Sequence, residues 1–221
     1  MITILQQRLL KYGLREWLKI KSSLGRDQVL DTYYFGYGAN LSIERFKKWH
    51  IPAEAVGTAY IENFQLKFNL PCEYKGKGFA GIEKSPKKRV WGILFRVNSN
   101  ALKMLDVLEW VPFNFYERKL FEVISNEEIY TNVQSYVTCH PRCDLIPSKA
   151  YLDFIIQSGI KANFPQEYLR ELSSNSAATT FDLDPSFVLR DPSKKRILSD
   201  KLSEVYLAHD KLREKLTRLI P

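Results

Sequence analysis

Aromatic and β-branched residues are concentrated in short runs along the first two thirds of the chain, and this pattern predicts strands joined by turns. Six runs carry it, at residues 32–35, 57–69, 78–82, 89–97, 116–124 and 132–138. Helical spacing interrupts them over residues 42–50, which follow the capping-type residue Asn40, and over residues 100–109. Short strands with tight connections and few helices predict an α+β fold, built on a small mixed β-barrel of about five to six strands with flanking helices.

In the last third of the chain the apolar residues return at the spacing of helices. Ser148 can cap a helix over residues 149–158, which Gly159 would end. A second helix over residues 166–172 follows a proline, a residue that is favoured at helix starts. The polar, low-complexity residues 173–180 then predict a linker.

Both ends of the chain carry a charged amphipathic pattern. Residues 2–21 predict an amphipathic helix within a basic N-terminal extension, residues 1–30. This helix could lie on a membrane surface or pack on the core, and we favour packing on the core. A second amphipathic helix is predicted over residues 198–219 of the C-terminal segment 173–221, where it could pair with the first helix or form an oligomer with another subunit. Between these extensions, residues 31–172 are predicted to form one domain.

The composition narrows the range of partners. Of the 221 residues, 45% are hydrophobic and 26% are charged, a globular balance that is sufficient for one core. The net charge of +8 is consistent with nucleic acid, an anionic membrane or acidic small substrates. No RNA-binding motif accompanies the lysine-rich residues 75–77 and 84–89, so we interpret them as solvated loops and expect no nucleic-acid partner. No apolar stretch approaches ~20 residues, and the first residues are too polar for a secretory signal.

The three cysteines, Cys72, Cys139 and Cys143, do not make a disulfide framework. An odd number of cysteines in a chain of this length favours a reducing, cytoplasmic compartment. Cys139, His140 and Cys143 have a spacing that occurs in metal sites, but no second Cys/His pair completes a tetrahedral set. We therefore predict no metal ligands in this chain.

The most informative segment is residues 33–42, where a short strand leads through Gly36 and Gly38 into the start of a helix. One interpretation is a dinucleotide-binding turn, but Leu41 stands where the third glycine of that motif is needed. The other is a cradle of backbone N–H groups that binds a carboxylate or a developing oxyanion. We favour the cradle, because no alternation of strands and helices follows the loop.

The sequence of this loop resembles the signature of the γ-glutamylcyclotransferase family, also called AIG2-like. The family carries a Tyr-x-Tyr-Gly-Ser-Asn-Leu type motif on its first strand and loop, and residues 34–41 read YFGYGANL here. The departure is Ala39, where serine is usual. Alanine removes a hydroxyl group but keeps the backbone N–H group, so any role of that hydroxyl is in doubt.

A second motif supports the same resemblance. Residues 105–109 read LDVLE and lead to Tyr116, similar to the family's Leu-Asp-x-x-Glu followed by a tyrosine. Trp110 stands where many members have glycine, which could narrow the pocket or shift its substrate. The apolar neighbours of Glu109 are also expected to raise its pKa toward the range of a general base. Further matches, at residues 90–95, 135–138 and 147–172, extend the resemblance over residues 31–172.

The resemblance implies a cofactor-independent enzyme that acts on a small γ-glutamyl substrate. The α-amino group of a γ-glutamyl amino acid would attack its own γ-carbonyl, giving 5-oxoproline and a free amino acid. Glu109 would be the catalytic acid and base, Tyr37 would wall the pocket, and Tyr116 would bind substrate or orient Glu109. The substrate-binding residues that the resemblance implies are Tyr34, Gly36, Tyr37, Gly38, Ala39, Asn40, Leu41 and Tyr116.

Two alternatives stay open on the sequence alone. The leaving group could be an amine, as in a γ-glutamylamine cyclotransferase, although the basic residues 84–89 favour amino-acid leaving groups. The barrel could instead be a non-catalytic binding module that associates with a membrane through residues 1–21. Ala39, Trp110 and the long extensions motivate this second alternative, and the presence of Glu109 opposes it.

Overall fold

The structure is a computed structural model that describes residues 29–49, 51–72, 76–111 and 114–179. The two predicted terminal helices, residues 2–21 and 198–219, lie outside the described residues. No helix among the described residues is long and apolar enough to cross a membrane.

Five strands close into a barrel in the order β1-β3-β2-β4-β5. They are β1 (Thr32–Gly36), β2 (Ala53–Pro71), β3 (Gly78–Val97), β4 (Tyr116–Ser125) and β5 (Glu128–Thr138). Neighbouring strands are antiparallel, except for β1 and β5, which meet in parallel and close the barrel. Since parallel and antiparallel pairs share one sheet, the predicted α+β fold with a small mixed barrel is confirmed.

The prediction of two strands over residues 78–82 and 89–97 was wrong, because both belong to the single strand β3. The lysine-rich residues 84–89 lie within β3 but interrupt its ladder with β2: Lys84 stands opposite Phe64 and Arg89 opposite Glu62, so residues 85–88 face Asn63 alone. The Asn63 side chain spans this irregularity, since it accepts a hydrogen bond from the backbone N–H of Lys87 at 3.1 Å. The side chains of the three lysines in this run are exposed, as expected of a solvated segment.

The lysine-rich turn before β3 also differs from its prediction. Lys77 was expected on a solvated surface, yet its side chain is only 4% exposed. The backbone around it pairs with a later segment, since the N–H of Gly78 donates to the carbonyl of Ile146 at 3.0 Å and Ile146 donates to Gly76 at 3.0 Å. This pairing brings residues of the later segment over the turn and covers Lys77.

In the described ranges four helices flank the barrel: α1 (Ile43–Lys48), α2 (Ser99–Leu108), α3 (Lys149–Lys161) and α4 (Gln166–Ser173). Asn98 caps α2 by accepting a hydrogen bond from the N–H of Ala101 at 2.8 Å, and Ser148 caps α3 by accepting one from Tyr151 at 3.2 Å. Gly159 does not end α3 but lies inside it. A Cβ atom at Gly159 would lie 2.6 Å from the ring of Phe164, so this glycine permits close packing rather than a helix stop.

The core of the barrel holds the first strand and the loop that follows it in place. Phe35, at the end of β1, and Phe46, on α1, are almost completely buried. The ring of Phe46 stacks on that of Phe95 in β3 with centroids 4.5 Å apart, and it also contacts the ring of Tyr34 at 6.1 Å. Packing on both sides therefore fixes the loop between β1 and α1.

Gly92 tests this packing, because a Cβ atom there would lie 2.4 Å from the carbonyl oxygen of Gly36 and 2.5 Å from the Phe35 ring. We expect Gly92→Ala to lower the free energy of unfolding by about 1–3 kcal/mol, since the backbone of β1 would have to move. Urea unfolding followed by circular dichroism measures the change. Gly57→Ala on β2 is the matched control, because its Cβ atom would meet nothing closer than 3.6 Å. Equal stability of the two variants would contradict the prediction.

Candidate functional site

The glycine-rich loop leaves β1 at Gly36 and folds back on itself before α1 begins. A Cβ atom at Gly36 would lie 2.4 Å from the carbonyl oxygen of Asn40, so only glycine permits this close approach. At Gly38 the built Cβ atom would lie 3.1 Å from both Ala80 and the hydroxyl oxygen of Tyr151. The loop therefore lies directly against β3 and α3, as a backbone cradle requires.

Asn40 ties this loop to the candidate catalytic acid. Its Nδ2 group donates one hydrogen bond to the hydroxyl oxygen of Tyr34 and one to Oε1 of Glu109, both at 2.9 Å. The Asn40 side chain is only 6% exposed, so these bonds form away from bulk water. The expectation that Asn40 acts as a helix cap was wrong: Ser42 is the N-cap residue of α1, and Asn40 reaches across the site instead.

Glu109 occupies the C-cap position of α2, and its backbone N–H donates to the carbonyl of Leu105 at 2.8 Å. Glu109 is half-buried, and its Oε1 faces Asn40 of the loop. The next residue, Trp110, has a φ of 54°, in the left-handed region that favours glycine. This explains physically why glycine suits that position in the family, and it shows that a tryptophan can hold the same backbone geometry.

Four tyrosines, Tyr34, Tyr37, Tyr136 and Tyr151, surround the Glu109 carboxylate. Burial raises the pKa of all four, and the negative charge of Glu109 raises each pKa further. For Tyr151 the pKa is raised to about 12, although backbone hydrogen bonds from Ala80 and Ala39 act against the shift. At neutral pH all four phenols are therefore protonated, so they can orient groups by hydrogen bonding but do not act as bases.

Asp106 and Tyr136 brace this cluster from behind. Tyr136 donates its hydroxyl hydrogen bond to Oδ1 of Asp106 at 2.8 Å, and its backbone carbonyl accepts one from the Tyr37 hydroxyl at 2.7 Å. Arg118 approaches the other carboxylate oxygen of Asp106 at 3.6 Å. Burial raises the pKa of Asp106, while Tyr136 and Arg118 act to lower it.

Tyr116 contacts the barrel wall at Ala80. Its buried hydroxyl donates a hydrogen bond to the carbonyl of Ala80 at 2.6 Å. The N–H of the same residue, Ala80, points to the Tyr151 hydroxyl at 3.4 Å, so Tyr116 supports the strand that carries the pocket wall. A direct contact of Tyr116 with substrate or with Glu109 stays a prediction.

The structure thus brings together Tyr34, Asn40 and Glu109 by direct hydrogen bonds, and it places Gly36 and Gly38 at close approaches beside them. Leu41 is buried in the core, and its contribution to substrate binding stays a prediction. The residues that sequence reasoning assigned no role are Arg45, Asp106, Tyr136 and Tyr151. Strand alternation places Tyr136 inward, and helical spacing places Tyr151 on the barrel side of α3. Neither pattern predicts which residues these side chains contact.

No group of three or more histidine, cysteine or acidic side chains in the described ranges could hold a metal ion. Cys72 is buried, Cys139 is half-buried and Cys143 is exposed, and none of the three is in a disulfide. The candidate site consists of the Glu109 carboxylate, the Asn40 amide, four phenols and the backbone of the glycine loop, with the Asp106 carboxylate behind Tyr136.

Comparisons with known proteins agree with this architecture. A model of the AIG2-like family matches residues 89–172. A γ-glutamylcyclotransferase from Bos taurus is 30% identical over 145 residues, which cover 64% of this chain and 77% of that protein. One from Homo sapiens is 28% identical over 148 residues, with the same coverage of both chains. A solved structure named γ-glutamyl cyclotransferase superposes with a TM-score of 0.61 at 24% identity, covers 81% of this chain and 98% of that one, and so shares the fold. The chain belongs to the γ-glutamylcyclotransferase-like AIG2 family.

Proposed function

We propose that this protein is a γ-glutamylcyclotransferase-type enzyme that converts a γ-glutamyl amino acid to 5-oxoproline and a free amino acid. The observation that carries the proposal is the hydrogen bond of 2.9 Å from Asn40 to Glu109, which holds a half-buried carboxylate beside the glycine loop. The family membership makes a cyclotransferase the class of enzyme to test. A γ-glutamyl substrate has an α-amino group that could interact with the Glu109 carboxylate and a γ-carbonyl oxygen that the loop backbone could bind.

The proposed reaction is an intramolecular displacement. The α-amino nitrogen forms a bond with the γ-carbonyl carbon, and the bond from that carbon to the leaving nitrogen breaks. Because nucleophile and carbonyl belong to one molecule, the enzyme has only to bend the substrate and handle its protons. In neutral solution the α-amino group is protonated, so a base must remove one proton before attack.

Glu109 would carry the protons in both directions. Its carboxylate would take one proton from the α-ammonium group, and the resulting acid would protonate the leaving nitrogen. The regenerated carboxylate would take the second proton of the attacking nitrogen as the intermediate collapses and pass it to the departing amine, so that the ring of 5-oxoproline keeps one N–H group. Backbone N–H groups of residues 36–40 would stabilise the oxyanion that forms between the two steps. Asn40 would keep the carboxylate aligned through both steps, since its two N–H groups are bonded to Tyr34 and Glu109.

The identity of the leaving group belongs to the same proposal. The basic residues 84–89 no longer bear on it, because they lie on an exposed part of β3, where Arg89 pairs with Glu62 at 2.9 Å. A panel of γ-glutamyl amino acids and γ-glutamylamines, assayed for 5-oxoproline, decides between the two classes. If only the γ-glutamylamines are turned over, the leaving group is an amine rather than an amino acid. If no compound releases 5-oxoproline, the barrel is better described as a non-catalytic module.

The first direct test is Glu109→Gln. Glutamine keeps an oxygen that can accept the hydrogen bond from Asn40, so the fold is expected to survive while proton transfer is lost. We expect kcat for 5-oxoproline release to fall by at least about 100-fold. Glu44→Gln, the same exchange at an exposed position on α1, is the control and should keep full activity. Retention of full activity by Glu109→Gln would refute the assignment.

The second test addresses the alignment of the carboxylate. Asn40→Ala removes both hydrogen bonds, and we expect kcat/KM to fall by about 100-fold because Glu109 loses its fixed orientation. Tyr34→Phe removes only the bond between Asn40 and Tyr34, so a smaller loss is expected, about tenfold or less. Steady-state kinetics of both variants, with thermal unfolding as a check on folding, makes the comparison. If the loss in Tyr34→Phe equalled that in Asn40→Ala, the hydrogen bond to Glu109 would not be the important one.

A further inference from the structure

Arg45 carries an unused hydrogen-bond donor next to the proposed site. It lies on α1, one position before Phe46, whose stacking on Phe95 anchors that helix to the core. The Nε atom of Arg45 is fully buried and has no hydrogen-bond partner in the described part of the chain. The residue as a whole is only partly buried. A buried donor without a partner costs free energy, so the position calls for an acceptor that binds there.

The positive charge of Arg45 reaches the wall that also faces Glu109. It acts on Tyr34 and Tyr151, and the charge of Glu109 acts on the same two phenols. Among the residues that the structure describes, no ion pair within 4.0 Å involves Arg45. One cation and one anion therefore both lie close to Tyr34 and Tyr151.

The two charges are opposite in sign to those of the amino-acid head of a γ-glutamyl group. An α-ammonium and an α-carboxylate are attached to the same carbon, so their separation is fixed in every conformation. We propose that Arg45 binds the α-carboxylate of the γ-glutamyl substrate while Glu109 receives its α-amino group. This assignment rests on the proposed function, and it leaves the backbone N–H groups of residues 36–40 for the carbonyl oxygen.

The carboxylate of a leaving amino acid is the competing ligand for Arg45. That group lies beyond the scissile bond, and its distance from the α-amino group changes with several rotatable bonds. Two protein charges can bind two ligand charges at a constant separation with less loss of conformational entropy than two ligand charges whose separation varies. The α-carboxylate is therefore the better fit, and Arg45 would make the enzyme require a free α-amino acid head whatever the leaving group is.

The test combines protein variants with matched substrates. γ-Glutamyl-alanine carries the α-carboxylate, and 4-aminobutanoyl-alanine lacks only that group. We expect Arg45→Met to lower kcat/KM for γ-glutamyl-alanine by about 10- to 100-fold, mainly through KM, because a charged hydrogen bond is lost. Its slow turnover of 4-aminobutanoyl-alanine should not change, and Arg45→Lys should retain part of the preference. Lys47→Met removes the same charge from the same helix at an exposed position, and it should behave as the wild type.

Two outcomes would overturn the assignment. An equal loss on both substrates in Arg45→Met would show that Arg45 acts on the fold, and thermal unfolding would report it. The second control substrate is γ-glutamyl-ethylamide, which keeps the α-carboxylate but has none on the leaving group. If Arg45→Met slowed γ-glutamyl-alanine and left γ-glutamyl-ethylamide unchanged, Arg45 would bind the leaving group instead.

Failure of the proposed function can be told apart from failure of this inference by calorimetry on Glu109→Gln. The comparison is between Glu109→Gln and the double variant that also carries Arg45→Met. If the double variant binds γ-glutamyl-alanine about 10- to 100-fold more weakly and 4-aminobutanoyl-alanine equally well, the Arg45 site is supported even if the wild type releases no 5-oxoproline. Unchanged binding of γ-glutamyl-alanine in the double variant overturns the Arg45 site even if the wild type is active.

Discussion

The two hydrogen bonds of the Asn40 amide are the interaction on which the arrangement of the site depends. An amide NH₂ group has two protons, and here one goes to Tyr34 on β1 and the other to Glu109 at the end of α2. The bonds connect the first strand of the barrel to a helix 69 positions along the chain. Because Asn40 is buried, these bonds are not exchanged with solvent, and the loop and the carboxylate are fixed relative to each other.

The electrostatics of the pocket follow from that arrangement. Burial raises the pKa of the four phenols and the negative charge of Glu109 adds to the shift, so each phenol keeps its proton and each can donate a hydrogen bond. The Tyr37 hydroxyl donates to the backbone carbonyl of Tyr136, and the Tyr136 hydroxyl donates to Asp106. These bonds hold both rings in place. In the proposed mechanism Glu109 is the group that moves protons, while Arg45 and the loop backbone bind the carboxylate and the oxyanion.

The sequence predicted the barrel well, because strand-forming runs and helix caps are local signals. The predicted cap Ser148 depends on a residue three positions away. The misread features depended on tertiary packing. Gly159 resembled a helix stop because the sequence does not show Phe164 packed against it, and residues 78–97 resembled two strands because β2 was not yet placed beside them.

The site was predicted in part for the same reason. Glu109 and the glycine loop were identified through family motifs, since no local rule joins Asn40 to a carboxylate 69 positions away. Local rules even pointed elsewhere, because an asparagine before a helix is a good cap. Tyr151 and Arg45 were given no role, since their approach to the loop arises from the packing of α3 and α1 on the barrel.

The two departures from the family pattern both leave the backbone unchanged, which gives them a common physical meaning. Ala39 lacks a hydroxyl group, yet its backbone N–H group still donates a hydrogen bond to the Tyr151 hydroxyl. Trp110 adopts the left-handed φ of 54° that glycine would adopt without strain, and its ring contacts Phe115 with centroids 6.1 Å apart. The proposed chemistry uses the backbone of the loop, so the missing hydroxyl of Ala39 leaves that contribution in place. Trp110 follows Glu109 directly, and its ring is expected to affect the choice of substrate rather than proton transfer by Glu109.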